Sequence, residues 1–460
     1  MSGHFLIINP NTLTTPYPVF PLGLAVVEQT LMNAGYKTRV WDIQISDTTL
    51  RDTIAAFRPD YIGISLRNID NVNSRSPLGY IDNLRELVED IRKSTAVPVI
   101  LGGSGFSLFP EEIMSLTRAD FGVVGEADVA LPALLKVIDQ QGDFASVPGV
   151  YFRTNDKLHS SPMQPIEPQR IELANYDPCL SHYYGKESTI LSVQTQRGCA
   201  FRCCYCTYPL IEGREPRSRD MDDVCDDIER ALAAGAPYVF MVDSVLNSTS
   251  RHLLDLCNKI IRRGLKFPWG GFLRPQFITD ELASAAKEAG MKHAELGSDS
   301  FSNTMLKSYQ KPFTFEQILE SQQALDRQKI TSCHFIILGG PKETPGTLDE
   351  TFRNADLLGD SLILPSTGMR IYPRTDLARV AIEEGVITED QPLIKPTFYL
   401  SPKITQEHID ARMKERFDNT DNWIDFQDEE LFTTVRETFH KRKIAGPLWE
   451  YMSVFKRMAR

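Results

Sequence analysis

Ser188-Thr189-Ile190-Leu191-Ser192-Val193-Gln194-Thr195 reads as an apolar strand, and it runs directly into Gln196-Arg197-Gly198-Cys199-Ala200-Phe201-Arg202-Cys203-Cys204-Tyr205-Cys206-Thr207. Of the eight cysteines in 460 residues, four fall within this one loop. A disulfide scaffold scatters its cysteines along the chain, whereas a metal site clusters them. Thiolates are soft ligands suited to iron–sulfur clusters. The C-x3-C-x2-C frame of Cys199, Cys203 and Cys206 can reach three irons of a cubane and leave the fourth open to an outside ligand, as reactive metal centres require. Three other readings compete. A zinc knuckle would show a second CxxC pair or nearby histidines, and neither is present. Cys204 could replace Cys203 or add a fourth thiolate, or the run could be buried cysteines without a ligand.

Downstream the strand–helix alternation continues. Strands are expected at 188–195, 238–243, 269–273, 293–296, 332–338 and 368–372, with helices such as 221–234, 281–289 and 314–328 between them. Six such repeats predict a partial barrel of the TIM type, with its chemistry at the carboxyl ends of the strands.

Upstream, strands at 5–8, 38–42, 60–66, 97–101 and 121–124 alternate with helices at 22–34, 80–93 and 130–139. This pattern predicts an α/β, doubly wound, Rossmann-like parallel sheet, which takes ligands at its carboxyl edge. The residues expected there are Asn9, Pro10, Ser65, Leu66, Arg67, Gly102, Gly103, Ser104, Gly105, Gly125 and Glu126, with glycines that let a large flat ligand approach the backbone. The division that follows is 1–145 for the first domain, 146–187 for a Pro- and Ser-rich hairpin and linker, 188–402 for the barrel, and 403–460 for a small helical C-terminal segment. In that last segment Trp423, Phe426, Phe432, Trp449 and Tyr451 are candidates for an apolar pocket or for core.

Charged residues are 24% of the chain, as in ordinary globular proteins, and the formal net charge is −11. That balance disfavours a nucleic-acid partner. The basic residues of 440–443 and 456–460 fit a solvated helix end. No apolar run is long enough to span a bilayer, and the N-terminus lacks the features of a signal peptide, so a cytoplasmic location is expected.

The Gly-Cys-x3-Cys-x-aromatic-Cys pattern after the first barrel strand resembles the radical S-adenosylmethionine (SAM) superfamily. The resemblance implies that Cys199, Cys203 and Cys206 hold a 4Fe–4S cluster, that SAM chelates the open iron, and that one electron releases a 5′-deoxyadenosyl radical. It places Tyr205 near the adenine, Asp243 and Ser244 at the methionine end, and Asp299 and Ser300 near the ribose. Asp299 stands where the family usually has Glu. Gly339 and Gly340 match the Gly-x-Pro-x-Glu-Thr turn, Arg274 is a further SAM contact, and Arg370 and Tyr372 are weaker substrate candidates.

A doubly wound domain ahead of such a barrel is similar to the cobalamin-binding radical SAM class, through Pro21-Leu22-Gly23-Leu24-Ala25, Leu101-Gly102-Gly103-Ser104-Gly105, Phe109-Pro110-Glu111-Glu112 and Gly125-Glu126. The Asp-x-His-x-x-Gly motif of classical cobalamin domains is missing, and the only histidine before position 158 is His4. Leu66 or Arg67 is therefore expected under the corrin. The resemblance implies methyl transfer from SAM through cobalamin to an unactivated carbon of a small molecule, with an external electron donor such as flavodoxin or ferredoxin. Ring rearrangement or cyclisation without methylation, and a cobalamin- or redox-sensing role, are the competing functions. A tRNA methylthiotransferase would need three cysteines in the first domain, and none precedes Cys179.

Overall fold

The computed structural model describes residues 3–167, 171–425 and 429–459. Its first sheet contains β1 (His4–Asn9), β2 (Lys37–Asp42), β3 (Tyr61–Ser65), β4 (Val99–Gly102), β5 (Phe121–Val123), β6 (Val150–Thr154) and β7 (Lys157–Ser160). They lie in the order β2-β1-β3-β4-β5-β6-β7. The first five strands are parallel, and the β6–β7 hairpin adds antiparallel at the β5 edge. The hairpin expected in the linker is thus part of the first sheet. Buried on both faces, the parallel strands read as apolar runs: Phe5, Leu6, Ile7 and Ile8 are all at most 2% exposed. The order in which strands are added switches sides between β1 and β3, which opens a crevice at their carboxyl ends.

The second sheet begins at β8 (Leu191–Val193). A short antiparallel ribbon of β9 (Gln196–Arg197) and β10 (Arg217–Ser218) flanks the cysteine loop. β11 (Val239–Met241), β12 (Trp269–Leu273), β13 (Met291–Asp299), β14 (Thr331–Leu338) and β15 (Leu362–Thr367) complete six parallel strands in the order β15-β14-β13-β12-β11-β8. The helix Ser250–Arg262 shows how the outer layer is specified. Its buried His252, Leu253, Leu256, Cys257 and Ile260 recur at helical spacing, and the Thr249 side chain caps its start by accepting from the His252 N–H.

The sixth strand is not where the sequence put it. It is 362–367; the expected 368–372 begins at Gly368 (φ +73°), where the chain turns, and continues as β16 (Met369–Arg370), which pairs antiparallel with β17 (Phe398–Tyr399). Pro365 argues against a central strand, but β15 is an edge strand, where a missing N–H costs nothing. The C-terminal segment is helical over Gln406–Asn419, Glu429–Arg442 and Trp449–Ala459. No helix among the described residues is long and apolar enough to cross a membrane.

Two buried ionic clusters tie the halves together. Arg370 Nε donates to Asp70 Oδ2 at 2.8 Å, with both side chains at most 2% exposed, and its other nitrogens donate to the carbonyls of Ile371 and Leu393. Arg197, two residues before Cys199, donates to both oxygens of Asp128, while Arg217 makes two bonds to Glu126.

Candidate functional site

The loop that leaves β8 is held by Asp243, which follows β11. This fully buried carboxylate accepts from the backbone N–H groups of Thr195 (2.7 Å) and Gln196 (3.1 Å) and from the Thr195 hydroxyl. Glu212 accepts from the Gly198 N–H at 3.0 Å and from Ser244 Oγ at 3.0 Å. Gly198 has φ +87°, and a Cβ there would sit 2.1 Å from the Glu215 carbonyl, so the position before the first cysteine must be glycine.

His252 closes the same latch, with Nε2 2.7 Å from Thr195 Oγ1 and Nδ1 3.0 Å from Ser218 Oγ. Burial lowers its pKa to about 4. The unfolded chain protonates this histidine near its ordinary 6.5, before the folded chain does, so stability is lost as pH falls from 6.5 towards 4 and is constant above that range. His252→Gln is expected to remove about 2–3 kcal/mol of the stability difference between pH 7 and pH 4.5, read from urea unfolding at the two pH values.

Around the cysteines the site is rich in cations and poor in anions. Burial pushes the Cys206 thiol up to about 12, with Cys203 and Cys199 adding to the effect, and burial also raises Cys199. Facing them is Arg274, 5% exposed, whose guanidinium carbon lies 3.5 Å from the centre of the Phe201 ring. Its Nε and Nη1 are buried without a hydrogen-bond partner, and burial lowers its pKa to about 10 against the opposing pull of Cys203 and Cys199. Orphaned guanidinium donors are costly in a protein interior and call for an anion. Lys311 is the second cation. Burial opposes its charge, but Asp299 at 2.5 Å and Cys203 outweigh burial and hold it protonated. Among the described residues no three His, Cys, Asp or Glu side chains converge as the ligands of a single metal ion do. A cubane asks for something different, one thiolate per iron, and an anion is what the Arg274 donors lack, while Lys311 is already paired with Asp299 beside Cys203. The residues present fit that group: Cys199, Cys203 and Cys206 would ligate it, and the unpaired donors of Arg274 would answer its negative charge.

The other SAM candidates divide. Tyr205 donates to Asp299 at 2.5 Å and sits beside Lys311, so the expected aromatic and carboxylate do meet next to Cys203, but they are bonded to each other. Asp243 is a latch for the loop. Ser300 is fully buried, with its hydroxyl bonded to that of Thr351. Gly339 and Gly340 are packing glycines: a Cβ on either would lie 2.4 Å from Leu400 or Tyr309. Arg370, a weak substrate candidate, is instead spent on Asp70, and Tyr372 packs between Arg370 and Phe109 at the junction of the halves.

The first domain faces the barrel across a cavity of about 400 Å3. Asn9, Ser65, Arg67, Gly103, Ser104, Gly125 and Glu126 from the first-sheet strand ends all line it. Pro10, Leu66, Gly102 and Gly105 do not; Leu66 is core, and Gly105 lies beneath the Arg67 carbonyl. Gly103 (φ +97°) has the Leu66 carbonyl 2.5 Å from where a Cβ would stand, so a bare backbone faces the crevice. Arg67 is open to the cavity yet ringed by protein, and burial lowers its pKa despite the nearby tyrosines 208, 184 and 17. His4 is spent on the Phe57 carbonyl and stacked on the Phe57 ring. This cradle would admit a flat cofactor against the bare Gly103 backbone with Arg67 close by, and no histidine is among the described residues that line the cavity.

From the barrel side the cavity is lined by Ile190, Ser192 and Gln194, by Phe240 and Val242, and by Phe272 and Glu295. Residues two apart on a strand share a face, so these are the inward positions of β8, β11, β12 and β13 and their ends. Sequence reasoning missed Lys311, Glu212, Arg197, Asp128 and Glu295. Only Arg197 and Asp128 carried a local signal, each lying two residues from a named motif residue.

Comparison with known proteins agrees with this geometry. The B12 binding domain family matches residues 8–135 and the radical SAM superfamily matches residues 193–355. Tryptophan 2-C-methyltransferase of Streptomyces laurentii is 22% identical over 452 residues, covering 83% of this chain and 75% of that one. The structure of TsrM from Kitasatospora setae, a radical SAM methyltransferase with cobalamin and a 4Fe–4S cluster bound, matches with a TM-score of 0.86 at 21% identity over the whole of both chains. OxsB, a cobalamin-dependent SAM radical enzyme, matches with a TM-score of 0.76 at 16% identity, covering 99% of this chain and 71% of that one. A B12-binding sheet and a radical SAM barrel, in that order and closed on one crevice, make this chain a member of the cobalamin-binding radical SAM enzymes.

Proposed function

We propose that the chain moves a methyl group from SAM, by way of cobalamin, to an unactivated carbon of a small biosynthetic intermediate. The observation that carries this reading is one cavity lined both by the strand ends of the first sheet and by the inward face of the barrel, beside the cysteine loop. A cofactor on one wall and a substrate on the other then meet without crossing water. When bound, the cluster supplies electrons and cobalamin carries the methyl group. The chain's own residues orient and shield: Arg274 offers two free donors to an anion beside Cys199 and Cys203, and Gly103 and Arg67, which line the same cavity, would help hold the corrin. The methyltransferase names of the relatives support methylation over rearrangement.

The electron donor is read as an acidic carrier such as flavodoxin or ferredoxin. A surface recess of about 350 Å3 reaches Cys203 and Cys206, and the exposed Arg202, Arg214 and Arg374 line it on a chain whose net charge is −11. Cluster thiols that must stay reduced support a cytoplasmic location.

The test is anaerobic loading with iron, sulfide and cobalamin, followed by mass spectrometry of candidate substrates incubated with methyl-labelled SAM. The expected product carries one labelled methyl group, and the cob(II)alamin form shows no imidazole nitrogen splitting in its electron paramagnetic resonance spectrum. A product of unchanged mass indicates rearrangement. No product and no SAM cleavage indicates a binding protein.

A further inference from the structure

Glu295 is out of place for a barrel interior. It sits mid-strand on β13, 5% exposed, where the inward neighbours on β8, β11 and β12 include Ile190, Phe240, Val242 and Phe272. Phe240 and Phe272 form an edge-to-face pair with ring centres 4.9 Å apart, and Phe272 is the register partner of Glu295 on the neighbouring strand, so the wall beside the carboxyl is aromatic. Its Oε1 accepts from Trp449 Nε1 at 2.8 Å. No other hydrogen bond reaches the Glu295 carboxyl from the described residues, and the side chain lines the cavity. Tyr17 lines the same cavity but makes no hydrogen bond to it. Burial pushes the carboxyl up to about 7, with the Trp449 bond pulling the other way. A buried carboxyl with one protein partner is expensive, and a residue serving packing alone would be apolar here.

A second feature shows that the carboxyl is held rather than merely tolerated. Trp449 belongs to the last helix, Trp449–Ala459, and stands edge-on to the His293 ring at 5.4 Å. His293 is itself fixed by the Tyr238 hydroxyl at 2.9 Å and by Glu450 at 2.5 Å. The indole N–H thus reaches Glu295 Oε1 from a group of polar contacts, and no hydrogen bond from the described residues reaches Oε2, on a side chain that lines the cavity.

We propose that Glu295 is the substrate-seating carboxyl of this site: Oε2 accepts a hydrogen bond from an N–H donor on an otherwise apolar, ring-bearing molecule that fills the mouth of the barrel. This rests on the cofactor assignment above for the identity of the cavity, and it adds the class of molecule. The body lies against Phe240, Phe272, Ile190 and Val242, and the single donor points at Glu295, which sets the depth and rotation of the ring relative to the first domain. A molecule of the same shape without the donor leaves the carboxyl unpaired and is rejected.

Indole and 1-methylindole differ by that donor. Their binding to the cobalamin-loaded chain is measured by equilibrium dialysis at millimolar concentrations, for wild type, Glu295→Met and Trp449→Phe. Cobalamin retained through gel filtration, read by its absorbance, is recorded on the same samples. Wild type is expected to hold indole at least about tenfold more tightly than 1-methylindole, the ratio expected of one satisfied buried polar group. Glu295→Met keeps the volume and removes a buried acid, so it folds and retains cobalamin, and its ratio falls to about one. Trp449→Phe keeps the carboxyl but loosens it, and its ratio lies between the two. Equal binding of the two probes by wild type, an unchanged ratio in Glu295→Met, or no binding of either probe overturns the assignment. Failure of every sample to retain cobalamin overturns the cofactor assignment instead.

Discussion

Alanine at any one of Cys199, Cys203 or Cys206 gives a chain that, after anaerobic loading with iron and sulfide, lacks the broad visible absorbance of a cubane. SAM-dependent product falls by more than about a thousandfold, because the cofactor and not the protein carries the difficult step. The effect is large because each thiolate takes its own iron, and no neighbouring group can stand in. Cys204 is the control. It is 4% exposed, its N–H donates to the Tyr309 carbonyl, and its carbonyl accepts from Leu377 N–H. Those are backbone ties that alanine preserves, so Cys204→Ala is expected to keep its cluster and lose about 1 kcal/mol of stability from a small buried side chain. Iron content, absorbance and labelled product on the four variants check this directly.

The second large effect is on stability. Asp70→Ala leaves the Arg370 guanidinium buried without its carboxylate, and this is expected to cost about 3–5 kcal/mol in urea unfolding. Replacing both residues, as Asp70→Ala with Arg370→Met, removes the stranded charge and should recover most of that loss. The pair also bears on the cofactor. Asp70 lies three residues beyond Arg67, in the loop that leaves β3, and its Oδ1 accepts from the Val72 N–H. The single variant should therefore release cobalamin faster than wild type, and the double variant should not, as followed by dialysis of the loaded proteins.

Much of this was legible in the residues. Strands buried on both faces write themselves as apolar runs, and glycines at strand ends announce a crevice, so the first sheet and its edge were readable from Phe5–Ile8 and Gly102–Gly105. The cysteine loop was readable because spacing and ligand chemistry coincide. What failed to show are pairings made across long separations. Arg370 looked like a candidate for the pocket because nothing near it in sequence shows that Asp70, three hundred positions earlier, would claim it. Ser300 matched a motif yet is buried on Thr351. Lys311 and Glu295 lie in ordinary-looking segments and acquire meaning only when β13 carries Glu295 to the cavity and its last residue, Asp299, meets Lys311. The sixth strand was misplaced because Pro365 suits an edge and nothing local says which strand is the edge. Trp423 and Phe432 proved to be core, Tyr451 is half-buried, Trp449 reaches the cavity's carboxyl, and Phe426 lies outside the described residues.

Among the described residues, the last helix reaches the carboxyl in the cavity through the indole of Trp449. A substitution in that helix can therefore re-aim Glu295 while every strand, glycine turn and cysteine stays as it was. On the proposed role of Glu295, a substitution at Trp449 alone is then a route to altered selectivity, whereas a shuffled tail is not, because Trp449 and Met452 also pack in the core with Cys333, Leu362 and Leu364 of the barrel strands.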